Sequence, residues 1–380
     1  MKKILIVGGG IAGLTAMRFL TKLGLDTHLI EKYPGFRPEG AGIMLGINAM
    51  KLLSELDLAE EIRSQGQVLD SFSMVDRQGC LIATSDSTYM EAQTGYNTVA
   101  IHRRLLQTIL SKALNKEKIR FHLTLTKLEQ KELAIQVTFS NTETEMFDMV
   151  IAADGIHSST RSLMGLPSKL RYSGYTCWRF VMECPESLLA CKTGYEYWGK
   201  GRRFGVVPLA ENQLYCFATV NSQENNTQHR DISSTEFKLL FSEFGGVVPE
   251  ILNALSDENV LIHGDLYDQL AIHLQTGKVA LIGDAAHAAT PNMGQGAGMA
   301  IEDAYILGKC LASDQEIPAA LKNYEARRCK RVKFIRDRSY QVGKIAQWEA
   351  PWAMATRNAI LRLLPRQGLS KDQCKLLLDY

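Results

Sequence analysis

The chain of 380 residues lacks several things, and each absence removes a class of function. Its eight cysteines (Cys80, Cys177, Cys184, Cys191, Cys216, Cys310, Cys329 and Cys374) form no CxxC pair, so neither a zinc site nor a disulfide framework is expected. Such scattered thiols fit a reducing cytoplasm, the expected location. No run of about eighteen apolar residues exists, which argues against an integral membrane span. The apolar start Ile4-Leu5-Ile6-Val7 is too short for a signal peptide and breaks at once into Gly8-Gly9-Gly10. Charge of one sign is missing too, with 43 basic residues against 41 acidic ones and a net charge of +2. No field therefore points to nucleic acid, and a small-molecule ligand is the plain expectation. Internal repeats and low-complexity tracts are absent. Oligomeric state leaves no mark that can be read.

What is present is ordinary globular material, 46% hydrophobic and 22% charged, long enough for roughly two domains. Ile4 to Val7 reads as a buried parallel strand, followed by a glycine turn and a helical pattern through Leu14, Ala16, Met17, Phe19 and Leu20. A second strand, Thr27 to Ile30, ends at Glu31, completing a βαβ unit of about thirty residues. Residues 48–66 read as one amphipathic helix, 69–91 as two strands around Asp76-Arg77-Gln78-Gly79, and 102–115 as a further helix. The stretch 118–151 alternates like hairpin strands. From 171 to 275 aromatic residues become dense and runs of period two appear, predicting a largely antiparallel sheet in a separate layer, with 223–234 a surface loop. Strand character returns at Val279 to Ile282, then a helix from about 296 to 312. Residues 317–380 read as helices packed across the back of the molecule, with the basic face around Arg327-Arg328-Cys329-Lys330-Arg331 in water.

The first chemistry-bearing pattern is Gly8-x-Gly10-x-x-Gly13 between strand and helix, with Ala12 inside it and Glu31 closing the second strand. Gly8 permits the tight turn, Gly10 lets the backbone approach a pyrophosphate, and Gly13 lets helix and strand pack closely. The helix N-terminus faces the phosphates, and Glu31 accepts from the ribose hydroxyls of an adenosine. By itself this leaves NAD and FAD open. Two further strand-to-turn junctions carry an acid: Ile151-Ala152-Ala153-Asp154-Gly155 and Leu281-Ile282-Gly283-Asp284. After the second comes Pro291-Asn292-Met293-Gly294-Gln295-Gly296-Ala297-Gly298, which should open a helix.

These three motifs, in this order from residue 4 to about 335, resemble the flavoprotein monooxygenases of the para-hydroxybenzoate hydroxylase type. The resemblance implies an α/β fold, with a Rossmann-like FAD-binding domain, a second, mainly antiparallel substrate domain, and C-terminal helices. It places the FAD-binding domain at 1–72, 97–170 and 276–316, the substrate domain at 73–96 and 171–275, and a C-terminal helical segment at 317–380. Asp284 is then expected on the ribityl chain, with Pro291, Gly294, Gly296, Ala297 and Gly298 along the isoalloxazine and pyrophosphate. A helix N-terminus there favours the anionic reduced flavin. Arg37 and Gly42 flank the loop along the flavin, and Arg103 starts a helix that contacts it, while Arg104 is read as solvated. Asp154 sits by resemblance where FAD and NAD(P)H compete, with Arg161 tying the loop down; it equally suits a local cap through Ser158 and Ser159. His287 is expected to be a turn histidine bonding the backbone, His157 is read in the same way, and Cys177 as a small apolar filler.

The implied reaction uses FAD, NADPH or NADH as reductant, and O2, with a flavin C4a-hydroperoxide hydroxylating or epoxidising an aromatic or polycyclic substrate. Substrate contacts are sought on Trp178 and Arg179, Arg203 and Phe204, and Tyr215 and Phe217, the last two sharing one face by alternation and predicted to roof the flavin. The stretch around Arg203 and Tyr215 is similar to the urate hydroxylase branch and also to epoxidase-like and antibiotic-inactivating members; there the matching pair helps bind and activate substrate. A halogenase is disfavoured because its Trp-x-Trp-x-Ile run is missing. A flavin-dependent reductase of unsaturated substrates and a non-catalytic FAD-bound sensor remain the alternatives.

Overall fold

The computed structural model describes residues 2–36, 41–189, 191–313, 316–363 and 368–378. Its first layer is a six-stranded sheet in the order Gln275–Thr276, Val279–Leu281, Met149–Ala152, Lys3–Val7, Asp26–Ile30, Ile119–Arg120. All neighbours run parallel except the edge strand Gln275–Thr276. The strands are near-continuous apolar runs because helices cover one face and the three-stranded sheet Leu125–Gln130, Ile135–Phe139, Thr144–Phe147 packs on the other, leaving no face for water. The helix Ile11–Lys22 lies against the helix Gly296–Ser313, with Phe19 and Tyr305 meeting edge to face.

A second layer is a seven-stranded sheet ordered Ile262–Gln269, Leu170–Glu183, Gln213–Asn221, Arg202–Leu209, Thr193–Trp198, Ser71–Asp76, Leu81–Asp86. It is antiparallel except between Thr193–Trp198 and Ser71–Asp76. The mixed α/β architecture with a mainly antiparallel second sheet is therefore as the sequence predicts. Alternation divides this second sheet's side chains between two faces. Trp178, Phe180, Phe204 and Cys216 pack against Phe237, Phe241 and Phe244 on one face. Arg179, Arg203, Tyr215 and Phe217 point to the other.

Four expectations need correction. The helix expected over 48–66 is two, Ile47–Ser54 and Ala59–Gln65. Between them Asp57 adopts a φ of 60°, which an α-helix cannot continue through. Past the hairpin at 71–86 lies a helix, Ser87–Thr94, started by the Asp86 carboxylate accepting the Tyr89 N–H at 2.9 Å. The aromatic-rich stretch and its polar loop contain short helices, Thr227–Arg230, Ser234–Leu240 and Val248–Ala254. A capping box between Ser233 and Glu236 opens the second of these.

The largest correction concerns the basic run. On the long helix Ile317–Ala346, Arg327 and Lys330 are exposed, but Arg328 and Arg331 turn inward. Arg328 Nε donates to Asp303 Oδ1 and its Nη1 to Glu302 Oε2, both at 2.7 Å. Arg331 Nη2 and Nε reach the two oxygens of Glu302 at 2.6 Å each. Glu302 also accepts from Asn48 Nδ2 (2.7 Å), and Asp303 Oδ2 accepts the Gly283 N–H at 2.9 Å. Helical spacing brings Arg328 and Arg331 onto one face, and adjacency brings Glu302 and Asp303 together. Burial alone would raise both carboxyls; the neighbouring cations Arg328 and Arg331, and His287 beside Asp303, outweigh it and hold them below the usual carboxylate range.

Removing one partner of such a buried pair leaves an uncompensated charge, so Arg328→Met should cost about 3–5 kcal/mol of unfolding free energy. Because both carboxyls are depressed in the folded state, their stabilisation is complete above about pH 4.5 and is lost as pH falls through their lowered values. Urea unfolding of the wild type and variant at neutral and acid pH checks both statements. The difference between the two proteins should shrink on the acid side.

Candidate active site

The strand Lys3–Val7 delivers the chain into the turn 8–10. Gly8 has a φ of +108°, and a Cβ there would lie 2.5 Å from the Ala153 carbonyl oxygen. A Cβ on Gly13 would fall 1.9 Å from the Gly8 carbonyl oxygen, so helix and turn touch backbone to backbone. At Gly10 nothing lies within 4 Å of the same position. Gly10 also caps the helix Ile11–Lys22 without any side-chain bond, leaving the first N–H groups for another acceptor. Glu31 Oε2 accepts the Gly9 N–H at 2.7 Å and Oε1 the Tyr33 N–H at 3.1 Å, which sets the carboxylate beside the turn. Ala12 meets Gly283, where a Cβ would stand 3.1 Å from the Ala12 methyl, so the first and third motifs are in contact.

The second motif is used within its own loop. Asp154 Oδ1 accepts from Ser158 Oγ (2.5 Å), and its Oδ2 from Ser159 Oγ (3.2 Å), Thr160 N (2.9 Å) and Thr160 Oγ1 (2.9 Å). Of the two roles weighed for Asp154, the geometry provides the cap. Arg161 is buried and donates to Ala285 O at 2.9 Å and to Pro167 O, clasping this loop to the Gly283–Asp284 turn. His287 bonds a carboxylate rather than the backbone, with Nε2 2.5 Å from Asp303 Oδ2. His157 stands at the cleft edge.

Asp284 lies at the floor of an open cleft of about 1050 Å³. Its side chain is open to solvent, yet many protein atoms surround it. That burial raises its carboxyl, while His287 and Arg103 pull the other way. Arg103, at the start of the helix Arg103–Ser111, is thus brought to Asp284 from another part of the chain. Ala288, Ala289 and Pro291 line the same cleft, as do Arg179, Leu261, His263 and Leu266 of the second sheet and the segment leading into it. Gly294 has a φ of +62°, and Gly296, which opens the following helix, has no atom within 4 Å of an added Cβ. Ala297 is half-buried, and Gly298 packs against Asn48 and Gln295. Arg37 lies outside the described residues.

Asn292, to which the sequence lent no role, ties this loop down. Its Nδ2 donates to Tyr175 Oη (2.8 Å), Thr290 Oγ1 (2.8 Å) and the Ser339 carbonyl (2.9 Å), linking the loop to the second sheet and the long helix. On the sheet, Tyr215 and Phe217 do share a face, their ring centroids 5.9 Å apart. Gly205 leaves room for the Phe217 ring, and Gly42 lets its strand approach Tyr215, whose Cβ would be 2.4 Å from an added one. Arg203 is on this face but buried, with Nη1 2.9 Å from Glu196 Oε1 and Nε 3.2 Å from Gln347 Oε1. Glu196 and Gln347 come from a neighbouring strand and the end of the long helix, and no spacing in the sequence announces either.

The residues present fit an adenine dinucleotide flavin. There is an open glycine with free helix N–H groups at one end, an acid next to it, and a cleft of ligand size whose floor is Asp284. A family model described as FAD binding domain matches residues 1–339. The chain belongs to that family. It is 35% identical over 367 residues to the 2-heptyl-3-hydroxy-4(1H)-quinolone synthase of Pseudomonas aeruginosa, covering 95% of this chain and 94% of that one. It is 33% identical over 362 residues to the aurachin C monooxygenase/isomerase of Stigmatella aurantiaca, at 95% and 94% coverage. The crystal structure of Klebsiella pneumoniae HpxO complexed with FAD and uric acid superposes with a TM-score of 0.92 at 26% identity, covering 100% of this chain and 97% of that one. This member of the family is a flavoprotein monooxygenase and FAD is its cofactor.

Two glycines separate cofactor binding from folding. Gly10→Val has space for its side chain, so it should fold with a loss of about 1 kcal/mol from poorer capping, yet emerge without bound FAD. Gly13→Val, with its Cβ forced onto the Gly8 carbonyl, should not fold. Flavin absorbance per protein and circular dichroism of both variants make the check.

Proposed function

We propose that this enzyme uses NADH or NADPH and O2 to place one oxygen atom on an electron-rich ring carbon of a fused nitrogen heteroaromatic, with a 2-alkyl-4(1H)-quinolone as the test case. The observation that carries this reading is the cleft itself, which brings Asp284 and Pro291 of the cofactor motifs together with Arg179 of the second sheet. Relatives support the substrate class. One is named for a 3-hydroxy-4(1H)-quinolone product, and a structural neighbour was crystallised with uric acid, also a fused nitrogen heterocycle.

In this reading Gly10, Glu31 and the N-terminus of the helix Ile11–Lys22 hold the ADP half. Asp284, Arg103 and the Gly294–Gly298 turn hold the flavin half. When bound, the flavin stores the two electrons of NAD(P)H and activates O2. The protein's part is to orient the ring and exclude water from the reacting carbon. The balance is simple: a ring C–H becomes C–OH, the second oxygen atom leaves as water, and NAD(P)H is oxidised. Phe217 and Tyr215 stand on the same sheet face as Arg179, their rings tilted 41° to one another. Burial pushes the Tyr215 phenol far above its ordinary value, with Arg179 only partly opposing, so it stays protonated and serves as a hydrogen-bonding group rather than a base.

Adding 2-heptyl-4(1H)-quinolone to the purified holoenzyme should accelerate NAD(P)H oxidation and yield a product heavier by one oxygen atom. A product gaining two hydrogens would identify a reductase instead. Perturbation of the flavin spectrum without turnover would leave only binding, and the proposal would be wrong.

A further inference from the structure

Two arginines face the same side of the second sheet, and they differ in what answers their charge. Arg203 has the Glu196 carboxylate at 2.9 Å, the Gln347 amide oxygen, and the Tyr175 ring 5.2 Å away. Arg179 lines the cleft, cross-strand from Phe217 and two residues along from Cys177. Among the described residues no carboxylate lies within ion-pair distance of it. The acids that share its cleft are engaged elsewhere. Glu224 accepts from Tyr267 Oη at 2.9 Å, Asp265 from the Asn225 N–H at 2.7 Å, and Asp284 lies in the fields of His287 and Arg103.

A guanidinium set into a protein cleft without an acid is costly unless something else supplies the negative charge. Its planar fork suits an oxygen that carries such charge. Resting on the proposed function, we infer that Arg179 binds the substrate through a ring oxygen held as an oxyanion, so the enzyme selects heteroaromatics whose enolic or phenolic oxygen is conjugated to the carbon that is oxygenated. The proton released on binding leaves to solvent through the open cleft. The bound anion is the electron-rich form that an electrophilic oxygen requires. Arg203, which the resemblance puts forward for substrate activation, is on the same face and is bonded to Glu196 and Gln347.

The test compares two probes on the FAD-loaded enzyme, 2-heptyl-4(1H)-quinolone and its O-methylated form, 2-heptyl-4-methoxyquinoline, which cannot present an oxyanion. Affinities come from flavin absorbance titrations. The wild type should prefer the quinolone by about 10- to 100-fold, the range for a hydrogen bond to a charged group. Bound at neutral pH, the quinolone should show the ultraviolet spectrum of its anion, a readout that needs no variant. Arg179→Met should lose affinity for the quinolone alone and bind the methyl ether as before, while Arg179→Lys should recover part of the preference.

Equal loss for both ligands would reduce Arg179 to a packing role and overturn the proposal. So would an intact preference, binding of neither probe by the wild type, or a changed flavin content with the preference kept. A wild type that shows the preference and oxygenates neither probe would remove the proposed function and leave Arg179 as an oxyanion site.

Discussion

Everything at the cofactor end depends on one buried set of charges, Arg328 and Arg331 against Glu302 and Asp303. These four side chains connect three parts of the chain that the sequence keeps apart. Glu302 and Asp303 belong to the helix opened by Gly296, and the two arginines to the long C-terminal helix. Asp303 also receives the Gly283 N–H, so the turn that presents Asp284 is fixed by the same carboxylate that anchors Arg328. In a low-dielectric interior such pairs are costly to half-satisfy, and here the remaining lone pairs are taken by Asn48 and His287. The cluster thus converts a helix-packing problem into a positional constraint on the Gly283–Asp284 turn.

A second set of contacts works from the opposite direction. Asn292 reaches the second sheet through Tyr175 and the long helix through Ser339, while Gln347 at the end of that helix reaches Arg203 and Asn221. The long helix therefore holds both the Pro291 loop and the second sheet. A segment that reads in sequence as a basic covering helix ties the Pro291 loop to the second sheet.

The glycine turns were legible because each rests on local geometry. Gly8 and Gly13 are required by a tight turn and a close backbone approach, and both requirements lie within thirty residues of Glu31. The antiparallel layer was legible from alternation, which also placed Tyr215 and Phe217 on one face. What was not legible depends on partners distant in sequence. Arg328 could not be told from Arg327 until the helix had a neighbour carrying two acids. Arg203 and Arg179 look alike as arginines on one face of the sheet with a single strand between them, and Glu196 and Gln347 distinguish them. Asp154 is the intermediate case, since its capping partners Ser158, Ser159 and Thr160 stand next to it and a nucleotide role was suggested only by resemblance. The break at Asp57 is a matter of a single backbone angle, which amphipathic periodicity does not register.

The central claim is that this cleft carries out oxygen transfer from O2 to a ring carbon. Turnover of the quinolone under heavy-isotope dioxygen, with the product analysed by mass spectrometry, tests it most directly. One heavy oxygen atom in the product, with none incorporated when the label is in the water, is the result expected. Label drawn from water, or a product formed without any, would contradict it.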